Sequence, residues 1–142
     1  MLNFAQLDNR IGVVDQLDEP DTPVTLINVF TVDADSMDDL LACWTADAEF
    51  MKRQPGFIST QLHRWIGAST TFVNTAVWQD VASFRRAFDQ PAFQRQLEAY
   101  PDSATARPHR VARSPFPTSA SLDEEVPKCP GHCTLPQAVR PS

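Results

Sequence analysis

The residues Thr70–Trp78 read TTFVNTAVW. Most are β-branched or aromatic, and the run has the length of an ordinary strand. Strand geometry sends alternate side chains to opposite faces, so Phe72, Asn74, Ala76 and Trp78 share one face and Val73, Thr75 and Val77 the other. Asn74 is the outlier: a buried amide is costly unless its donors and acceptor find partners. It is therefore a structural hydrogen-bonder, a solvent-facing residue, or half of a site with Trp78.

Working outward, FISTQLHRW (Phe57–Trp65) alternates as a second strand, and Gly67 marks the turn that joins the two as a hairpin. Downstream, Asp80 caps a short helix carrying Val81, Phe84 and Phe88. Pro91 suits the first turn of another, with Phe93, Leu97 and Tyr100 on one face. Upstream, PVTLINVFTV (Pro23–Val32) predicts a strand with Val24, Leu26, Asn28, Phe30 and Val32 on one face and Thr25, Ile27, Val29 and Thr31 on the other. Both faces are largely apolar. Between them, Met37, Leu40, Leu41, Trp44, Ala48 and Met51 recur at helical spacing, with a capping box expected at Ser36 and Asp39 and an end at Pro55-Gly56. ATARPHRVAR (Ala104–Arg113) predicts a last strand, in which Pro108 calls for an edge position or a bulge.

The order strand, helix, strand, strand, broken helix, strand predicts an α+β fold of the ferredoxin-like, split βαβ kind. A four-stranded antiparallel sheet would carry its helices on one face. Ile27, Val29, Val73 and Val77 would then form an apolar patch on the open face, which predicts a homodimer. The expected organisation is an N-terminal extension over residues 1–22, a domain over 23–114, and a Pro-rich tail over 115–142, disordered or wrapped on a partner. Eight of the twelve prolines follow Tyr100.

The composition sets limits on function. The 142 residues suit one domain, with 42% hydrophobic and 21% charged residues. A net charge of −6 gives no support to nucleic-acid binding or to an anionic membrane surface. No apolar run has the length of a membrane span, and the first residues lack the pattern of a signal peptide. Three cysteines make no disulfide framework, so a cytoplasmic location is expected. Cys129, His132 and Cys133 in CPGHC are three metal ligands at best, with His132 and Cys133 adjacent, so no metal is expected.

VTLINVFTV with its strand asparagine, MKRQPGFISTQLHR after the first helix, and FVNTAVWQDVASFRRAF together resemble the antibiotic biosynthesis monooxygenase family over roughly residues 23–114. The resemblance implies a dimeric α+β barrel. Activities on similar folds include oxidation of aromatic anthrones or quinols by molecular oxygen without a cofactor, heme opening, and isomerase, cyclase or stress-protein roles. Heme-degrading relatives carry a ligating histidine on the helix after the tryptophan strand. No histidine lies between Phe84 and Tyr100, and Leu97 stands at the matching position, which argues against heme degradation.

The expected activity is cofactor-independent oxidation of an aromatic, polyketide-like substrate, with a non-oxidative cyclase or isomerase and a small-molecule-binding stress-response dimer as alternatives. Such an oxygenase must stabilise a developing phenolate or enolate in a dry pocket, and neutral donors suit that task. The Asn74 amide and the Trp78 indole N–H lie on one face, and by the resemblance they are the candidate catalytic pair. His63 is the candidate base. Asn28, Trp44, Phe72, Phe84 and Tyr100 are the candidate substrate contacts. The fold's relatives that oxidise anthrones use tyrosines near the substrate, and Tyr100 is the only tyrosine here.

Overall fold

The computed structural model describes residues 1–20 and 22–112. The tail over 115–142 and the CPGHC motif lie outside them. The elements are β1 (Asn3–Phe4), α1 (Val13–Gln16), β2 (Val24–Thr31), α2 (Met37–Met51), β3 (Phe57–Arg64), β4 (Thr71–Trp78), α3 (Val81–Phe88), α4 (Pro91–Glu98) and β5 (Thr105–Val111). The sheet order is β1-β5-β2-β4-β3. The four antiparallel strands stand as expected, and β1 adds a short parallel strand beside β5. No helix among the described residues is long and apolar enough to cross a membrane.

Register fixes the two faces. On β2 and β4, Leu26 pairs with Ala76, Asn28 with Asn74, and Phe30 with Phe72. Val24, Leu26, Phe30, Phe72 and Trp78 are buried beneath the helices. Ile27, Val29, Val73 and Val77 alternate onto the opposite face, as expected from the period of two. The core forms two clusters. One gathers Phe30, Leu40, Phe72, Phe93, Leu97 and Tyr100; the other gathers Val24, Leu26, Trp78 and Ala87.

Three local features differ from expectation. Ser36 makes no capping hydrogen bond; a 3-10 turn over Ala34–Ser36 leads directly into α2, so the expected capping box is not formed. The register of β3 slips between Phe57 and Ser59. An extra residue at a bulge reverses the alternation that follows it. Finally, residues 1–20 do not stand apart from the strands and helices that follow. Leu2 is in the core, and α1 packs against β5.

Gln16 makes that last contact specific. Its side-chain oxygen accepts the Arg110 backbone N–H at 2.9 Å, and its amide nitrogen lies 2.8 Å from His109 Nε2. Ala106 O likewise accepts from Ala5 N on the outer side of β5. Alternate residues of β5 thus turn their backbone groups outward, and Pro108 falls on the same phase. Its missing donor faces the edge and costs no bond to β2, which is how this strand accommodates a proline.

Candidate active site

The two core clusters leave a cavity of about 690 Å³ between the sheet and the helices, with members of both in its wall. That volume is within the range of roughly 300–1,000 Å³ common for small-molecule sites. The sheet supplies the floor, with Asn28, Thr60, Asn74 and Trp78 among its residues. Helix α2 contributes Trp44, Asp47, Ala48 and Met51, and α3 contributes Phe84 and Phe88. The N-terminal segment closes a further side with Leu2, Phe4, Val13 and Leu17.

Asn28 and Asn74 face each other directly across β2 and β4. Opposed positions bring Cβ atoms to about 5 Å, so the two amides form one polar spot in an otherwise apolar floor. Their hydrogen-bonding states differ. Thr60 Oγ1 donates to Asn74 Oδ1 at 2.8 Å, which leaves the two donors of the Asn74 Nδ2 group for another partner. Asn28 Oδ1 is buried and meets no donor among the described residues. The spot therefore offers a donor beside an acceptor.

Trp78 is buried on the same face and held edge-on by Phe57 and Phe84, at centroid distances of 5.4 and 5.8 Å. Such T-shaped contacts fix the indole plane. Asp80 caps α3 by accepting from Ser83 N at 2.7 Å, so the helix bearing Phe84 starts immediately after the Trp78 strand.

Of the residues anticipated from sequence, Asn28, Trp44, Asn74, Trp78 and Phe84 line this cavity together. Phe72 is 2% exposed within the core cluster and does not line it. His63 pairs with Val73, on the far face of the sheet, and is exposed there. The bulge is the reason: Phe57 stays on the helix side against Trp78, whereas Ser59, Gln61 and His63 turn away. Tyr100 is buried behind the wall and does not line the cavity; it stacks on Phe30 at 6.4 Å with planes 5° apart.

The hydroxyl of Tyr100 leads to a residue not anticipated from sequence. It donates to Asp47 Oδ2 at 2.7 Å. Asp47 is 9% exposed, lines the cavity, and its other oxygen, Oδ1, meets no donor among the described residues. Burial pushes its carboxyl up to about 6, while the Tyr100 hydrogen bond pulls the other way. Burial, together with the nearby Asp47 charge, raises the Tyr100 hydroxyl and the Cys43 thiol as well. Within the apolar stripe of α2, Asp47 falls three residues after Trp44 and seven after Leu40, so a polar residue on the core face was the signal available in the sequence.

The antibiotic biosynthesis monooxygenase family model matches residues 23–99, more than half the chain. Deoxynogalonate monooxygenase of Streptomyces nogalater is 40% identical over 70 residues, a stretch that is 49% of this chain and 58% of that enzyme's length. The structure of SnoaB, a cofactor-independent oxygenase from Streptomyces nogalater, superposes with a TM-score of 0.60 at 32% identity, covering 71% of this chain and 97% of that one. A variant of SnoaB in which an asparagine is replaced by alanine matches with the same TM-score at 30% identity, covering 73% of this chain and 100% of that one. The chain belongs to the antibiotic biosynthesis monooxygenase family.

Proposed function

We propose that this protein is a cofactor-independent monooxygenase that uses molecular oxygen to oxidise a fused-ring aromatic substrate of the anthrone or quinol type. The observation that carries the reading is the Asn28–Asn74 pair, a donor beside an acceptor on the floor of an apolar cavity. A carbonyl or oxyanion next to a hydroxyl, as on the edge of a hydroxylated polycyclic ketone, complements that pair. Trp78 lies four residues from Asn74, on the order of 13 Å along the strand, a span matched by fused rings rather than by a single ring. The names of the relatives, a monooxygenase and a cofactor-independent oxygenase, support the same class.

In this reading the substrate loses a proton and the resulting enolate reduces oxygen. The Asn74 donors are aimed at the oxygen on which negative charge develops, in a cavity whose apolar wall strengthens the interaction. Oxygen uptake with a panel of anthrones and hydroquinones tests it. Turnover is expected, and Asn74→Ala is expected to lower kcat by about 100-fold, as for loss of an oxyanion donor. Turnover of the panel without oxygen consumption would instead assign a cyclase or isomerase. The protein also works as a homodimer in this proposal, through the open face bearing Ile27, Val29, Val73 and Val77.

A further inference from the structure

The enolate step needs a base, and the two amides on the floor cannot serve, since a neutral carboxamide does not accept a proton near neutral pH. His63 is on the other face of the sheet, and His109 is engaged by Gln16 at the outer strand. Among the described residues lining the cavity, the ionisable side chains are Asp47, Arg85 and Asp89. Arg85 is a permanent cation, paired at 2.9 Å with Asp18. Asp89 is exposed after the last turn of α3. Asp47 alone is a buried carboxylate inside the wall.

We infer that Asp47 is the general base of this site: Oδ1 takes the acidic proton of the substrate, and Tyr100 holds the carboxylate through Oδ2. The inference rests on the oxygenase reading for its substrate class. Its footing is geometric. One oxygen of Asp47 is fixed by a 2.7 Å hydrogen bond, and the other is buried and meets no donor among the described residues. Helix α2 sets it on the wall opposite the sheet, so a ring lying on Asn28 and Asn74 presents its free side to the helix. The C–H or O–H bond breaks, its electron pair stays on the substrate as the enolate, and the proton moves to Oδ1. The carbon then bonds to oxygen, which takes up the electrons as a peroxide anion, and the same proton returns to its outer oxygen. Loss of the carbon's second hydrogen as a proton forms the C=O bond while the O–O bond breaks, and the hydroxide released takes up that proton and departs as water.

The carboxyl is also tuned for that task. A base works best when its pKa lies near the operating pH, and burial has raised Asp47 towards it. The groups around it leave the assignment simple. On its own helix, Cys43 is nearby and Asp39 and Glu49 are exposed; behind it is the Tyr100 hydroxyl. On α4 and α3, Arg95, Glu98, Arg85, Arg86 and Asp89 are exposed. On the strands facing it, Asn28, Thr60, Asn74 and Trp78 are neutral, and Arg64 is exposed and bonded to Ser69 O. On the N-terminal segment, Asp15 and Asp18 are exposed.

Proton abstraction can be read without oxygen chemistry. Under nitrogen in deuterated buffer, 1,8-dihydroxyanthrone exchanges its methylene hydrogens only through its enolate, and NMR follows the loss. The wild-type protein should accelerate exchange, and Asp47→Asn, which keeps the Tyr100 hydrogen bond, should slow it by about 100-fold or more while anthrone binding is unchanged. The wild-type rate should climb through pH 6 and level off; Tyr100→Phe should move that climb to higher pH, since it removes the bond that favours the carboxylate. A merely structural Asp47–Tyr100 pair would give no such shift. Exchange by Asp47→Asn at the wild-type rate, no acceleration by the wild type, or an unmoved pH profile in Tyr100→Phe would each overturn the inference. Exchange that depends on Asp47 without oxygen uptake would uphold the base and sink the oxygenase reading; oxygen uptake untouched by Asp47→Asn would do the reverse.

Discussion

Burial holds the Asp47 carboxyl at about 6, against about 3.9 for a free aspartate, so between those values the folded chain binds a proton that the unfolded chain has released. Stability therefore falls as pH rises from about 4 to 6 and is level above, a loss on the order of 3 kcal/mol for two pKa units. Asp47→Asn has no such slope. In urea unfolding, its advantage over the wild type should be small near pH 4 and grow to on the order of 2–3 kcal/mol at pH 7.5; a difference that does not change with pH would mean that the carboxylate bears no burial cost. The same substitution is expected to raise stability and abolish proton abstraction, the trade between stability and activity expected of a buried catalytic charge. Asn28, Asn74 and Trp78 were legible in the sequence because two strands with clear alternation set their faces. Asp47 was harder: its helical phase puts it on the core face, but a carboxylate there is unremarkable until Tyr100, 53 residues away, is seen to bind it.

At the scale of elements, the bulge of β3 and the turn before it govern which groups meet the cavity. Alternation from Phe57 to Trp65 assigns His63 to the face of Phe57, and one inserted residue sends it to the other side. No propensity in FISTQLHRW marks that insertion, because it is fixed by how β3 must pair with β4 once Phe57 has packed on Trp78. Gly56, immediately before, is legible after the fact. Its φ of +86° favours glycine, and a Cβ built there would lie 2.3 Å from Ser83 Oγ and 2.4 Å from Ser83 Cβ. Glycine is what lets the end of α2 approach α3, and with it Phe84 and Phe88. Gly56→Ala should destabilise the fold by about 2–4 kcal/mol, combining about 1–2 for the positive φ with displacement of the helix. In a Ser83→Gly background, which removes the colliding atoms, the same change should cost only about 1–2 kcal/mol. Equal costs in both backgrounds, measured by denaturant midpoints, would show that α3 does not press on the turn.

Across the whole molecule, the sheet has one face filled by helices and cavity and another whose centre is apolar. Ile27 and Val29 on β2 sit beside Val73 and Val77 on β4, while the flanking strands put Ser59, Gln61 and His63 on one side and Arg107 and His109 on the other. That arrangement, an apolar middle with a polar rim, is the anatomy of an interface. Among the described residues, the helices cover the cavity side, and the N-terminal segment is spent on the β5 edge and the cavity wall, so neither hides these valines. A second copy stacked face to face at about 10 Å would bury them. The wild type should accordingly elute with twice the mass of the chain in light scattering, and Val73→Lys, which puts a charge at the centre of the patch, should give the single-chain mass with little loss of helical circular dichroism. Because the cavity lies on the other side of the sheet, the monomeric variant should keep its affinity for an anthrone within a few-fold. A Val73→Lys protein that stays a dimer would place the interface elsewhere, and one that loses anthrone binding while folded would mean that pairing of the sheets also shapes the floor on which Asn28 and Asn74 meet.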